Sequence, residues 1–316
     1  MAIAVASGYP QHSGTFIPEK WSLNLLVQYY ATDVIPQITN SNYINEIKDV
    51  GDIIHIRTRP DITWHAYVKG QDMTPDFPNA PIVDFPVERA GYFFFAVDNI
   101  DAHQSDIAMM SDWAEGAVKN SKNAIDAAFL ADVYADADAD NIGATAGVDS
   151  GNINMGAAGA PVTLTADNIL QKYVAAGVIL SEQNVPNDRN RWAVMPPYAL
   201  GLISLSDIKD ASLSGDGTSL LRTGTGRIGR ISNFTTYEST QLTSVTDGTT
   251  ADTCWYLMFG HQDAIAFGTN YIETVHFDKL ERMAGQATRC LQAYDWKALR
   301  GEALTYLYAT FADNEF

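Results

Sequence analysis

The sequence predicts an α+β fold, and three observations carry that prediction. One amphipathic stretch, from about Ile100 to Ala137, runs longer than an ordinary globular helix. Several segments of strand character occur without a regular strand–helix–strand repeat, which argues for a mostly antiparallel sheet. Between two of those strands lies a proline-rich excursion whose apolar residues a single subunit would bury poorly.

In the long stretch, Ile107, Met110, Ala114, Val118, Ser121, Ile125, Ala128 and Asp132 fall at three- and four-residue steps. That spacing draws one narrow, mostly apolar stripe along a helix of roughly 30 residues, about 45 Å at 1.5 Å per residue. Asp112, Glu115, Lys119, Asn120, Lys122 and Asp126 fill much of the other side. Asp101 or Ser105 stands where a cap is needed, and no proline interrupts the run. Gly116 is tolerated at a cost of about 1 kcal/mol. With a single greasy face, the helix is expected to lie along a sheet or a neighbouring element as a spine.

Taken from the N-terminus, residues 1–18 carry two prolines, two glycines and little pattern, which fits an extended arm lying on another surface as well as a frayed tail. Trp21–Tyr30 follows a proline–glutamate start and reads as a short helix ending before Pro36. Asp52–Arg59 is a strand bounded by Gly51 and Pro60. The excursion holds Pro60, Pro75, Pro78, Pro81 and Pro86, with Trp64, His65, Tyr67 and Phe77 and a turn around Lys69-Gly70. Val83, Phe85 and Val87 alternate ahead of the strong strand Tyr92–Val97. Strands on either side of an extended excursion make a β-arm, and its exposed apolar surface belongs in a protein interface.

After the spine, residues 136–161 are rich in Ala, Gly, Asp and Asn and read as a loop or boundary. Thr165 is expected to cap a second helix with Ile169, Tyr173, Gly177 and Leu180 on one face. Trp192–Met195 is a strand stopped by Pro196-Pro197, and Pro197 starts a helix carrying Leu200 and Ile203. Residues 212–226 form a second loop. Strands are expected at Ile228–Leu242, Cys254–Phe259, Tyr271–Phe277 and Arg289–Tyr294, with a short helix at Gln262–Phe267. Leu304–Phe311 is a strand or a helix.

Composition narrows the function. With 38 acidic against 20 basic residues, a net charge of -18 argues against a surface that grips nucleic acid, which needs surplus Lys and Arg to release counterions. The N-terminus lacks the pattern of a signal peptide, and no apolar run is long enough to span a membrane. Cys254 and Cys290 lie far apart and read as buried free thiols.

The motifs of chemistry are incomplete. Gly224, Gly226 and Gly229 match G-x-G-x-x-G, but a Ser/Gly loop precedes them and a strand pattern follows, the reverse of a dinucleotide site. Asp136, Asp138 and Asp140 open like a calcium loop, yet Asn141 and Gly147 replace the glycine and glutamate it needs. The six histidines form no HExxH and no Cys/His cluster, and no GxSxG elbow occurs. His55 and His276 lie in strands and read as structural.

The ordered set FIPEKWSLNLL at Phe16–Leu26, YINEIKDVGDIIHIRTRP at Tyr43–Pro60, RWAVMPPYALGLI at Arg191–Ile203, GRIGRISNFTTYES at Gly226–Ser239 and HQDAIAFG at His261–Gly268 resembles the major capsid protein of tailed double-stranded DNA bacteriophages. That resemblance implies an α+β, Hong Kong 97-like fold. Residues 1–35 then correspond to the N-terminal arm and 50–90 to the extended β-loop that overlaps a neighbour. Residues 36–49, 91–137 and 271–300 correspond to the peripheral domain with its spine helix, and 138–270 to the axial domain. Residues 301–316 are left unassigned.

The same resemblance implies a structural protein and no enzyme, with no cofactor, metal or catalytic residue. Many copies would self-assemble as pentamers and hexamers into an icosahedral head shell. The shell encloses double-stranded DNA without reading its sequence and without a membrane. Its expected place is the virion, after assembly in the host cytoplasm. No charged helical extension precedes the arm and the sequence opens on Met1, so a separate scaffolding protein is expected, with a portal and a decoration protein as further partners. Intersubunit contacts are expected from Arg57, Arg59, Trp64, Tyr67, Lys69, Phe77 and Arg89, the basic ones facing acids of a neighbour. Some relatives join a loop-tip lysine to a neighbour's asparagine; Lys69 sits where such a lysine would, and no asparagine partner stands out. Two alternatives stand beside this reading: an encapsulin-like cellular shell around cargo enzymes, and a soluble enzyme or ligand-binding protein using Gly224–Gly229.

Overall fold

The computed structural model describes residues 30–40, 53–60, 62–104, 109–206, 230–281 and 283–312. The expected helix at Trp21–Tyr30 apart from its last residue, the stripe residue Ile107, the loop at 212–226 and the glycine motif at Gly224–Gly229 lie outside those residues.

Pro36 starts a single turn, α1 (Ile35–Ile38), whose two isoleucines are buried. β1 (Ile53–Arg57) and β2 (Ile82–Pro86) pair antiparallel, with Arg57 opposite Ile82. Everything between those two residues is therefore thrown outward from the end of the pair. β3 (Arg89–Asp98) alternates between exposed and half-buried positions as its aromatic pattern requires. It leads through α2 (Asn99–Gln104) to the spine, α3 (Met109–Asp132), and a 3₁₀ turn at Val133–Asp136.

The spine buries a different stripe from the expected one. Phe129, Leu130 and Val133 are buried, and so is Asp126, which the sequence placed on the polar side. Val118, expected inside, is 43 % exposed, and Ala128 and Asp132 are exposed as well. The cause is a change of neighbour along the helix. Its first half lies over a sheet, with Trp113 against Phe95, and is met by Tyr30 near Gly116 and Lys119. Its second half is enclosed from two sides, by Val34, Ile35 and Ile38 and by the main core.

That first sheet has three antiparallel strands in the order β10 (Ile265–Phe277), β11 (Gly285–Ala298), β3. The second is larger. Its order is β4 (Val162–Leu164), β12 (Leu304–Phe311), β9 (Thr253–His261), β5 (Arg191–Met195), β7 (Phe234–Glu238), β6 (Arg230–Ile231), with β8 (Ser244–Thr246) paired to β9. It is mostly antiparallel; β4 with β12 and β5 with β7 are parallel. All five residues of β5 are buried, as a strand enclosed by β7, β9 and the helices α4 (Ile169–Glu182) and α5 (Pro197–Leu205) must be. Tyr173 from α4 meets Phe234 and Phe259 edge-on, with ring centroids 6.4 and 5.2 Å away.

Three local expectations are corrected and one open alternative is settled. Ile228–Leu242 is no single strand: Ser232 and Asn233, both at positive φ, turn β6 back into β7. Thr165 does not cap α4, because its own N–H is bound by Asn168 Oδ1 at 3.0 Å and the helix starts after Asn168. Gln262–Phe267 is a helix only as far as Ala264, since Ile265 already pairs with Ala298. Leu304–Phe311 is a strand inside the larger sheet.

The spine's C-terminal end joins the two sheets. Tyr134, just past it, stacks on Tyr256 at 4.0 Å and meets Tyr306 edge-on, which holds it to the larger sheet. Phe129 meets Trp296 of β11 at 5.6 Å, which holds it to the smaller one.

Candidate assembly surfaces

The β-arm is anchored at its base and bare along its length. Phe85 of β2 is buried with Ala266 among Ile54, Ile56, Val87 and Leu299. His55 Nδ1 lies 2.6 Å from Asp84 Oδ1, and Thr58 donates both its N–H and its hydroxyl to the Pro81 carbonyl at 3.2 and 2.6 Å. Farther out, His65 Nε2 meets Asp76 Oδ2 at 2.8 Å. A turn closes the tip, where Gln71 N–H donates to the Val68 carbonyl at 3.0 Å. Gly70 there sits at φ +91°, a left-handed conformation that favours glycine. From Arg57 to Lys69 the chain can reach at most about 40 Å at ~3.3 Å per residue.

Along it Trp64 is 95 %, Phe77 91 % and Met73 81 % exposed. Fully burying side chains of this size is favourable by about 1.5–3 kcal/mol each. A subunit that leaves several of them in water on one projection has the composition of an interface.

Of the seven residues expected at intersubunit contacts, Arg57, Arg59, Trp64, Tyr67, Lys69 and Phe77 lie exposed on this arm. Arg89 does not join them. Its guanidinium donates to Asp132 Oδ2 at 2.6 Å and to Asp295 Oδ1, and it sits 3.9 Å from the centroid of the Trp296 ring. Asp132 also accepts from Trp296 Nε1 at 3.1 Å, and Asp295 from the Glu88 N–H at 2.9 Å. Arg89 thus ties β3, the end of α3 and β11 within one subunit.

A second apolar surface was not foreseen. On the smaller sheet, the register sets Tyr92 and Phe94 of β3 on the same side as Arg289 and Leu291 of β11 and Tyr271, Glu273, Val275 and Phe277 of β10. This side faces away from the spine. Tyr92 is 78 % and Phe94 53 % exposed. The alternation in YFFFAV was the available signal: half of so aromatic a strand must face away from the helix.

Buried polar groups elsewhere are spent on holding the chain. Asp126 Oδ1 accepts the N–H groups of Val34 and Ile35, both at 3.2 Å, while Oδ2 has no partner. Burial outweighs those two hydrogen bonds, and with Asp33 nearby its pKa is pushed up to about 6. Arg191 gives its protons to the carbonyls of Pro186, Gly177 and Val185 and to Ser181 Oγ. Asp247 accepts from the N–H groups of Gly159, Thr249 and Thr250 and from the Tyr308 hydroxyl. Those backbone donors hold its carboxyl below the ordinary carboxylate range.

His261 is buried with Nε2 at 3.1 Å from Asp188 Oδ1 and Nδ1 accepting the Asp263 N–H, so both ring nitrogens are engaged structurally. Asp138 caps the turn Ala139–Asn141 through the Asp140 N–H instead of opening a calcium loop. Among the described residues no group of three His, Cys, Asp or Glu is placed to hold a metal ion. An open depression of about 420 Å³ at the edge of the larger sheet is lined by Thr163, Asp252, Thr253, Trp255, Thr310 and Phe311. Its lining offers one carboxylate and no base or cation to work with it.

No family model matches the sequence, and no curated protein does. Solved structures do match. A chain of Mycobacterium phage Che8 superposes with a TM-score of 0.72 at 23 % identity, covering 95 % of this chain and 98 % of that one. The capsid of the cyanophage P-SCSP1u gives 0.67 at 11 % identity, with 94 % of each chain covered. The capsid of Ralstonia phage GP4 gives 0.65 at 12 % identity, with 99 % of each covered. At such identities the likeness is one of fold, and it extends over nearly the whole length of both chains. The α+β, Hong Kong 97-like architecture expected from the sequence is the architecture present.

Proposed function

We propose that this chain is the major capsid protein of a tailed bacteriophage, self-assembling as pentamers and hexamers into an icosahedral shell around double-stranded DNA. One observation carries the reading: a fold shared end to end with phage capsid chains projects a β-arm whose aromatic residues are left exposed by the described residues of their own subunit. On this reading residues 50–90 overlap a neighbour and residues 1–35 form the N-terminal arm. The smaller sheet and spine, mostly within 36–49, 91–137 and 271–300, make the peripheral domain, with the first residues of β3 and β10 reaching back into the neighbouring segments. The larger sheet, within 138–270, makes the axial domain, and β12 extends that domain into the last segment. The net charge of -18 suits an inner wall that confines DNA without adhering to it. A scaffolding protein, a portal and a decoration protein are the further partners, assembly takes place in the host cytoplasm, and the virion is the destination.

Negative-stain microscopy of the purified protein tests this. Closed particles or rings of uniform size are expected, and a stable monomer under all assembly conditions refutes it. Particles from infected or expressing cells that hold protein cargo and no DNA would move the assignment to a cellular shell of the same fold. Removing Ile62–Pro81 and closing the gap with a short turn keeps the β1–β2 ladder and Phe85. The shortened subunit is expected to give an unchanged circular dichroism spectrum and to sediment as a small species, because an interface near 1,000 Å² per junction is lost. Normal particles from that variant would show that the arm is not an intersubunit element.

A further inference from the structure

The arm's returning leg has a regularity that its role as a projection leaves unexplained. In Thr74–Pro81 the prolines recur at every third position, Pro75, Pro78 and Pro81. Three residues per turn is the period of the polyproline II helix, so the three rings line up along one ridge. No residue from Gln71 to Ala80 lies in a strand, and the Pro81 carbonyl, bound by Thr58, marks where the β1–β2 ladder begins; an extended proline-rich leg outside the ladder is what that conformation requires. Phe77 and Met73 extend the leg's apolar surface. Its charges between Gln71 and Pro81 are Asp72 and Asp76, with no basic residue.

The outer side of the smaller sheet supplies the complementary chemistry. Tyr92 and Phe94 on one edge strand and Tyr271 on the other flank Leu291 of the central strand, and Phe94 meets Phe277 edge-on at 6.4 Å to close one end, an aromatic-lined trough of the kind that receives polyproline ridges. Arg289 lies within it, 5.7 Å from the Phe277 ring centroid and 3.8 Å from Glu273, and brings a cation to meet the acidic leg. Covering about four aromatic side chains and their partners buries on the order of 1,000 Å², at the lower bound for specific association.

We propose that the Thr74–Pro81 leg docks, as a polyproline ridge, into the aromatic trough of Tyr92, Phe94 and Tyr271 on a second copy of this chain. The proposal rests on the shell reading above and names the recognition mode of its overlapping arm. Ridge and trough are different patches of one chain, so the contact is head-to-tail. Contacts of that type close rings when the rotation permits. A preformed ridge also loses little conformational entropy on docking, unlike a flexible loop.

Two measurements on the intact protein test it. The first is competition: a peptide of residues 71–81 is expected to raise the concentration needed for particle formation about tenfold, while the same residues with the three-residue proline spacing broken leave it unchanged. Equal inhibition by both peptides, or by neither, overturns the proposal. The second is covalent capture in a Cys290→Ser background, pairing Cys at Pro75, Pro78 or Pro81 with Cys at Tyr92 or Phe94. Under mild oxidation at least one pair is expected to give a ladder of linked subunits that neither single-cysteine variant gives. Particles of normal size with no ladder from any pair overturn the docking and leave the shell reading intact, whereas a wild-type protein that forms no particles overturns both.

Discussion

Asp126 is where a single atom's environment sets a measurable property of the whole subunit. Its side chain is 1 % exposed, two backbone N–H groups bind Oδ1, and Oδ2 is unpartnered. Burial raises its pKa from 3.8 to about 6. Between those values the folded subunit holds a proton that the unfolded chain has released. The unfolding free energy therefore falls as pH rises through this window, by at most about 3 kcal/mol at 1.36 kcal/mol per unit.

Asp126→Asn keeps an acceptor for Val34 and Ile35 and removes the charge. It is expected to flatten the stability profile between pH 4.5 and 7. At pH 7.5 it should stabilise the subunit by about 0–2 kcal/mol, after the roughly 1–3 kcal/mol cost of an unpaired buried amide. Asp126→Ala leaves both N–H groups without a partner and should cost about 2–4 kcal/mol at pH 5. Urea unfolding of unassembled subunits, followed by circular dichroism across that pH range, measures all three proteins. Parallel profiles for wild type and Asp126→Asn would refute the reasoning, as would an alanine variant of wild-type stability at pH 5.

Other expectations follow from the same contacts. Arg59→Glu, on the exposed arm, should lower particle yield in a light-scattering assembly assay and leave the subunit's melting temperature unchanged. Arg89→Met should do the reverse, destabilising the isolated subunit by about 2 kcal/mol in urea, because Asp295 is left buried without its partner while the half-exposed Asp132 is not. Asp247 works opposite in sign to Asp126: its pKa is depressed, so its contribution is present above the ordinary carboxylate range and lost on acidification through it. Asp247→Asn should lower the melting temperature at pH 7 and weaken the fall in melting temperature from pH 5 to pH 3.

How much of this was legible in the sequence depended on whether the cause was local. The spine was legible because three- and four-residue spacing is a property of one segment, and so were β3, β5 and β9, which are short aromatic or branched runs between breakers. The spine's buried face was not. A helical wheel assigns a carboxylate to the wet side, and Asp126 is inside because two N–H groups from a segment some ninety residues upstream need an acceptor there. Arg89 was grouped with the arm because it follows the arm in the chain, yet its partners Asp132 and Asp295 arrive by folding over distances that no motif records.

The arm itself was legible for the opposite reason. The excursion's five prolines bar a regular helix or strand ladder there, so Trp64, Tyr67 and Phe77 have no regular face to turn toward their own core. A surface that waits for another copy can thus announce itself as greasy composition that local structure cannot hide. An internal charge joint such as Arg89 with Asp132 and Asp295 uses residue types that look equally at home in water. Its energy comes from a fixed geometry that only the folded subunit supplies. The arm's exposed aromatic run was therefore easier to read from the chain than the joint that holds the subunit's two sheets to one spine.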